Sequence, residues 1–170
     1  MLKSISRQKY LETEPNREEL MVETCYGILP VRINSGVCEV LLCKSRSCGA
    51  YVIPKGHAEE GETEIESAVR ELREETGHSP SMFWTASGWS QSRDEATQIE
   101  PIKYLSFKRD TKIDKTVKLY IARVREEGPI LDTNEIERVD WFPIQSLPTE
   151  ELKYPEISEY ILSNVLHRVL

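Results

Sequence analysis

The fold of this chain is decided by the stretch Gly56-His-Ala-Glu-Glu-Gly-Glu62-Thr-Glu-Ile-Glu-Ser-Ala-Val-Arg70-Glu-Leu-Arg-Glu74-Glu-Thr-Gly77. It predicts a helix that starts near Thr63 and stops at Gly77, because acidic residues in a first turn complement the helix dipole and glycine favours a helix end. Apolar residues recur along it at the spacing of one helical face: Ile65, Ala68, Val69 and Leu72. We expect this stripe to be buried, which leaves the other face free for charge.

Three carboxylates of this helix form the candidate site. Glu71, Glu74 and Glu75 stand at positions i, i+3 and i+4, so they share one helical face, which we expect to lie opposite the apolar stripe. Oxygen ligands crowded in this way suit hard divalent cations such as Mg²⁺ or Mn²⁺, which offset the mutual repulsion. A metal held there neutralises charge on a phosphoryl group and lowers the pKa of a water molecule. The pattern therefore indicates hydrolysis of a phosphate compound.

The residues around these carboxylates distinguish a site from an ordinary surface. An isolated run such as residues 70–75 is more often a solvated helix face held by Arg/Glu pairs. Here Gly56, Glu62 and Gly77 stand at fixed distances around it, and average residue usage produces so long a match by chance in fewer than roughly one in 10⁶ chains. The stretch resembles the Nudix box. It departs from that family's pattern at His78, where a bulky apolar residue is usual, and we expect this histidine in a surface loop.

The resemblance implies a fold and a set of roles. The fold is α/β (α+β), with a mixed β-sheet sandwiched between helices. Arg70 and Glu62 match residues that orient the carboxylates, and Glu135 matches a further carboxylate that many relatives supply from a late loop; a solvated loop position is the alternative for Glu135. The implied metal ligands are Gly56, Glu71, Glu74, Glu75 and Glu135. The implied catalytic residues are Arg70, Glu71, Glu75 and Glu135, with one of the three glutamates as general base.

The rest of the chain reads as one domain over residues 21–170 behind an N-terminal extension over residues 1–20. Apolar, β-favouring runs predict a hairpin of residues 25–33 and 37–43 around the turn signal Asn34-Ser35-Gly36, and a short strand over residues 51–53. Further strands are expected near residues 104–107, 116–124 and 138–142. The last sixteen residues predict an amphipathic helix with Ile157, Ile161, Val165 and Val169 on one side. Residues 79–102 are expected to form a loop.

Composition limits the class of protein. Hydrophobic residues make up 39% and charged residues 30% of the chain, and no apolar run approaches the length of a membrane span. We expect a cytoplasmic protein, because no apolar stretch follows the first charges as in a secretory signal. A net charge of −7 disfavours broad binding of nucleic acid. Four cysteines are expected as reduced thiols, mostly buried in strands, rather than a disulfide framework: Cys25, Cys38, Cys43 and Cys48.

Outside the box the chain resembles the asymmetric diadenosine tetraphosphate hydrolases. The similarity runs through Ile53-Pro-Lys-Gly-His57, Lys115-Thr-Val and the residues from Asn134 to Phe142, and it covers most of residues 24–168. It implies cleavage of a dinucleoside tetraphosphate to ATP and AMP. The substrate phosphates are expected to contact Lys55, His57 and Lys115. The adenine is expected to contact aromatic residues, for which the candidates are Tyr104, Phe107 and Tyr120. Trp84 and Trp89 are expected either to close over a base or to pack beneath it.

Other functions share the same box. Removal of pyrophosphate from an RNA 5′ end, or cleavage of nucleotide sugars or inositol pyrophosphates, would change only the loops. A non-catalytic Nudix module that binds a nucleotide or a protein is a hypothesis of another class. It is disfavoured because Glu71, Glu74 and Glu75 are all present. The oligomeric state is left open by the sequence.

Overall fold

The computed structural model describes residues 5–8 as backbone and residues 20–169 in full. Within these residues the chain forms ten strands, two α-helices and two short 3₁₀ turns. The strands are β1 (Ile5–Gln8), β2 (Leu20–Asn34), β3 (Val37–Ser45), β4 (Tyr51–Val52), β5 (Lys55–Gly56), β6 (His78–Thr85), β7 (Gly88–Ser90), β8 (Ile102–Lys108), β9 (Thr111–Glu126) and β10 (Ile136–Pro143). The helices are α1 (Glu64–Thr76) and α2 (Ile157–Val169), and the 3₁₀ turns are Arg93–Glu95 and Thr149–Glu151.

All ten described strands belong to one mixed sheet with the central order β10-β3-β2-β9-β6-β7. Strands β2 and β9 run parallel, with Leu20 opposite Lys112 and Val31 opposite Arg123, while the other pairs are antiparallel. Of the expected N-terminal extension, the part that the structure describes includes β1, which pairs with the start of β2; the rest lies outside the described residues.

The two faces of the sheet carry separate hydrophobic cores, because successive side chains of a strand point to opposite faces. Leu29 and Val117 belong to the core that is shared with α2. Ile28 and Tyr120 belong to the core beneath α1. The sheet therefore lies between two helices, which confirms the expected fold class.

Both predicted helices are present. Thr63 caps α1 through its hydroxyl, which accepts a hydrogen bond from the backbone N–H of Glu66 at 3.2 Å, and Gly77 ends the helix with φ 72°. In α2 the four predicted residues of the apolar side are all buried: Ile157, Ile161, Val165 and Val169. The predicted hairpin is also present: Ser35 and Gly36 both have positive φ, as the tight turn between β2 and β3 requires.

The prediction of a loop over residues 79–102 was wrong. Residues 78–85 form β6, which pairs with β9, and the hairpin partner β7 sets Trp89 opposite Trp84. The register of β6 shifts between Pro80 and Met82, so the proline sits at an irregularity of the kind in which strands tolerate it. The prediction of His78 in a surface loop was also wrong. This residue is 9% exposed at the start of β6, and its ring nitrogen Nδ1 lies 2.8 Å from the carbonyl oxygen of Thr76.

The cysteines agree with the prediction of reduced thiols that are mostly buried in strands. All four cysteines are free thiols; three are buried in strands, and Cys48 is exposed. Among the described residues no helix combines the length and the apolar character needed to cross a bilayer.

Candidate active site

An open pocket of about 420 Å³ lies where α1, β5 and the strand pair β2 and β9 meet. It brings together most of the polar residues that the sequence reading singled out. Its lining includes Lys55, Gly56, His57, Arg70, Glu71, Glu74, Lys115 and Glu135. The pocket is also lined by Cys25, Glu59 and Asp132. None of these three was predicted as a site residue from the sequence.

Arg70 connects the box loop to the helix. Its Nε donates to Glu62 Oε2 at 2.8 Å, and its Nη2 donates to the backbone carbonyl of His57 at 2.7 Å. Its Nη1 reaches the carboxylates of Glu71 at 3.0 Å and Glu74 at 3.1 Å. The hydrogen bond from Arg70 holds the pKa of Glu62 below its usual range. One guanidinium therefore fixes the loop and the rotamers of two candidate metal ligands.

The prediction that Glu75 lies on the helical face opposite the apolar stripe is wrong. It follows Leu72 by three residues and so continues the stripe inward, where it is only 5% exposed. Burial raises the pKa of Glu75 to about 9; the charge of Lys55 lowers it, whereas Glu71 and Glu135 raise it further. Glu71 and Glu75 also act on each other, because their proximity lowers the pKa of Glu71 and raises that of Glu75. Without a cation this pair favours holding a proton.

Gly56 lets the loop approach the helix. A Cβ atom at this position would collide with the carboxylate of Glu71. Burial raises the pKa of Glu71 as well. The contact of bare backbone with a carboxylate therefore requires glycine here.

Two lysines face the carboxylates. Lys55 is half-buried at β5, and desolvation lowers its pKa, although the charge of Glu75 acts in the opposite direction. Lys115 comes from β9, where it lies opposite both Glu23 of β2 and Tyr104 of β8. Positive charge thus lies on the side of the pocket across from α1.

The late loop is held against the end of α1. The backbone N–H groups of Leu131 and Asp132 both donate to the carbonyl oxygen of Glu74, at 2.9 Å each. The turn that follows carries Glu135 into the pocket beside Asp132. The structure thus brings Glu135 to the box carboxylates. Asp132 could have been predicted from the sequence, because it is a second acidic residue in the same turn as Glu135.

The three predicted aromatic residues do not form one adenine site. Tyr104 stacks on Tyr154 with ring centroids 4.6 Å apart, beside the core shared with α2. Tyr120 lies on the opposite face beneath α1, where its hydroxyl accepts a hydrogen bond from Gln98 at 3.0 Å. Phe107 is 71% exposed near the end of the β8–β9 hairpin. The three candidates thus lie in three separate places, and only Tyr104 shares the face that carries Lys115.

The tryptophans of the segment after α1 pack beneath cations. The guanidinium of Arg168 lies 4.7 Å from the centre of the Trp84 ring, and that of Arg123 lies 4.6 Å from the centre of the Trp89 ring. Both rings pack against the α2-side core. A contact of either ring with a base stays a prediction.

The donor set fits a divalent metal. Glu71, Glu74 and Glu135 line one pocket with their carboxylates, and Glu75 is near enough to Glu71 and Glu135 for their charges to raise its pKa. Oxygen-only donors of this kind suit hard cations. The raised pKa of Glu75 also favours a cation at this place, because the protein alone does not compensate the negative charge of this carboxylate.

Comparison with known proteins agrees with this geometry. Residues 26–164 match the model of the NUDIX domain, so the chain belongs to the Nudix family. It is 29% identical over 99 residues to the asymmetrical bis(5'-nucleosyl)-tetraphosphatase of Mus musculus, a match that covers 58% of each chain. It is 36% identical over 62 residues to the RNA pyrophosphohydrolase of Erythrobacter litoralis, covering 36% of this chain and 38% of that protein.

A solved structure shows the same fold. The Ap4A hydrolase of C. elegans superposes with a TM-score of 0.57 at 19% identity, covering 86% of this chain and 98% of that one. The chain therefore belongs to the Nudix family and resembles the diadenosine tetraphosphate hydrolases, and it spans 58% of the length of the mouse relative.

Proposed function

We propose that this enzyme hydrolyses diadenosine tetraphosphate asymmetrically to ATP and AMP, with Mg²⁺ as its cofactor. The observation that carries the proposal is the opposition of charges in one pocket, with carboxylates on α1 and Lys55 and Lys115 across from them. A chain of four phosphates is long enough to contact both sides at once. The mouse and nematode relatives, each named for this substrate, support the choice.

The ligand set proposed for Mg²⁺ is Gly56, Glu71, Glu74, Glu75 and Glu135. When bound, Mg²⁺ supplies neutralisation of phosphate charge and a water molecule of lowered pKa. Arg70 keeps Glu71 and Glu74 in position through its two Nη1 hydrogen bonds. Lys55, His57 and Lys115 bind phosphate oxygens further along the chain.

Hydrolysis requires a group that accepts the proton of the attacking water. The oxygen of that water bonds to a phosphorus atom, the phosphoanhydride bond to the leaving phosphate breaks, and the proton passes to a carboxylate. Glu71, Glu75 and Glu135 are the candidates. The raised pKa of Glu75, to which Glu71 contributes, supports this pair as the place where the proton is held.

Tyr104 and Tyr154 form the proposed base site. They line a small apolar cleft that borders the catalytic pocket through Lys55. The cleft holds only about 20 Å³ of free space, little more than one water molecule needs. The two rings therefore have to separate to take a base between them, and their stacking contact would be exchanged for stacking on adenine.

A second candidate is removal of pyrophosphate from an RNA 5′ end. The similarity to the Erythrobacter litoralis protein favours it, although that match covers only 36% of this chain. The exposed Phe107 and the basic residues near it would then contact nucleotides beyond the first. Chemistry in the pocket would be the same for both substrates.

A panel of substrates tests the proposal directly. Diadenosine tetraphosphate, ADP-ribose, triphosphorylated RNA and an inositol pyrophosphate would each be incubated with the enzyme and Mg²⁺, and the products separated by chromatography. We expect ATP and AMP in equal amounts from the dinucleotide, at a kcat/KM above that of every other compound. Faster release of pyrophosphate from RNA would overturn the substrate assignment and leave the hydrolase chemistry in place.

A further inference from the structure

A cluster of three potential metal ligands includes two residues that line the pocket, Cys25 and His57, and none of the carboxylates of α1. The ligand atoms of Glu23, Cys25 and His57 all lie within 4.8 Å of one another. Cys25 is 2% exposed, while the side chains of Glu23 and His57 are 13% and 27% exposed. None of these residues belongs to the carboxylate set of the box.

The fold itself brings the three side chains together. Glu23 and Cys25 are two residues apart on β2, so both point to the same face of the sheet. Strand β5 pairs with β2 through Tyr26 opposite Gly56. Continuing this register by one residue sets His57 opposite Cys25. The cluster is therefore a consequence of strand pairing and not of loop geometry.

We propose that Glu23, Cys25 and His57 form a second metal site, selective for a thiophilic divalent cation of the Zn²⁺ class. Carboxylate, thiolate and imidazole are ligands that Zn²⁺ accepts together, whereas Mg²⁺ binds thiolate poorly. Three protein ligands leave one position of a tetrahedral ion for water or a phosphate oxygen.

The charges and distances suit this ion. The carboxylate of Glu23 and the thiolate of Cys25 together balance the two positive charges of Zn²⁺, so Lys55 and Lys115 nearby meet a neutral complex. Ligand atoms of a tetrahedral zinc ion lie about 3.5 Å apart, so separations of at most 4.8 Å have to close by no more than about 1 Å, whereas the His57–Glu23 contact has to open. The contact between His57 Nε2 and the Glu23 carboxylate shows that these two groups already approach closely. On binding, the thiol proton of Cys25 passes to the solvent.

The site has a consequence for activity. His57 lines the catalytic pocket together with Lys55 and Lys115. Zn²⁺ bound to His57 would withdraw the imidazole from the substrate phosphates. We expect Zn²⁺ to inhibit hydrolysis even when Mg²⁺ is in excess.

The test compares three proteins at saturating Mg²⁺: wild type, Cys25→Ser and the matched thiol control Cys48→Ser, in which the exposed cysteine is removed. Co²⁺ reports thiolate ligation through its sulfur-to-metal charge-transfer absorption, and Zn²⁺ affinity is measured against a chromogenic chelator. Wild type and Cys48→Ser should show the absorption band, and Cys25→Ser should lack it and bind Zn²⁺ more weakly by more than about tenfold. Thermal unfolding of the metal-free variants establishes that each is folded.

Glu23→Gln provides a second, separable readout. It should weaken Zn²⁺ binding and keep the thiolate band, because Cys25 remains. An unchanged band and affinity in Cys25→Ser, or no band in wild type, would overturn the proposal. These measurements do not depend on turnover, so they stand whichever substrate the enzyme uses. Zn²⁺ inhibition, normalised to each protein's own Mg²⁺-dependent rate, should disappear in Cys25→Ser; persistent inhibition would place the inhibitory ion elsewhere.

Discussion

Glu75 is the residue at which structure and chemistry are most closely coupled. It lies on the buried side of α1, where the charges of Glu71 and Lys55 both act on it. A buried carboxylate with a raised pKa is costly for the fold, and such costs concentrate at functional sites. The role proposed for the metal is to make this negative charge stable.

Replacing Glu75 by glutamine should abolish hydrolysis without unfolding the protein. Glutamine keeps the size of the side chain and removes a proposed metal ligand and proton acceptor, so kcat/KM should fall by at least about 10²-fold. The matched control is Glu66→Gln on the same helix, whose side chain contacts Arg93 outside the pocket. Steady-state kinetics with Mg²⁺ compares the two. Equal activity of both variants would contradict the assignment of Glu75 to the site.

The same residue predicts how stability changes with pH. In the folded, metal-free protein Glu75 keeps its proton up to a pKa of about 9, whereas the unfolded chain loses it near 4.5. The folded state then binds more protons than the unfolded state, so the free energy of unfolding should fall as pH rises from about 5 to about 8. Lys55, with its lowered pKa, acts in the opposite direction at the alkaline end.

Denaturant unfolding across this pH range measures the effect. The fall in stability should be smaller in Glu75→Gln, where the group cannot ionise, and saturating Mg²⁺ should reduce it in the wild type. A Glu75→Gln variant with the same pH dependence as the wild type would show that other groups cause the trend.

At the scale of elements, the contact between β5 and α1 depends on the absence of a side chain at Gly56. A Cβ atom there would collide with the Glu71 carboxylate. The colliding atoms are the far end of the Glu71 side chain, so Gly56→Ala should lower the free energy of unfolding by only about 1 kcal/mol, but it should displace this carboxylate and reduce hydrolysis. A double-mutant cycle with Glu71→Ala tests the cause, because truncating Glu71 removes the colliding atoms and should shrink the cost. Equal costs in both backgrounds would mean that the strain arises elsewhere.

Elements with strong local signals could be predicted from the sequence, and those defined by tertiary pairing could not. Helix α1 has a periodic stripe, a capping threonine and a terminal glycine, and its predicted bounds were confirmed. Strand β6 has a proline and several polar residues, and its strand state comes from pairing with β9. The burial of Glu75 was missed because the apolar residues of the stripe end at Leu72, although the helical period continues.

At the scale of the whole molecule, strand register decides which residues can act together. Tyr104 lies directly opposite Lys115, so both point to the face that carries the pocket. Tyr120 is five residues beyond Lys115 on the same strand and therefore points to the other face. The sequence placed all three residues in the right part of the chain, but only the register between β8 and β9 assigns each to a face.

This separation predicts different effects of two tyrosine substitutions. Tyr104→Leu keeps apolar volume but removes the ring, so the loss of about 1–3 kcal/mol of stacking should raise KM for diadenosine tetraphosphate roughly 5-fold to 100-fold. Tyr120→Phe loses the hydrogen bond from Gln98 and should lower stability by about 1 kcal/mol while leaving KM unchanged. Kinetics and denaturant unfolding of both variants separate the two effects. A raised KM in Tyr120→Phe with a normal KM in Tyr104→Leu would place the base beneath α1, on the face opposite the proposed one.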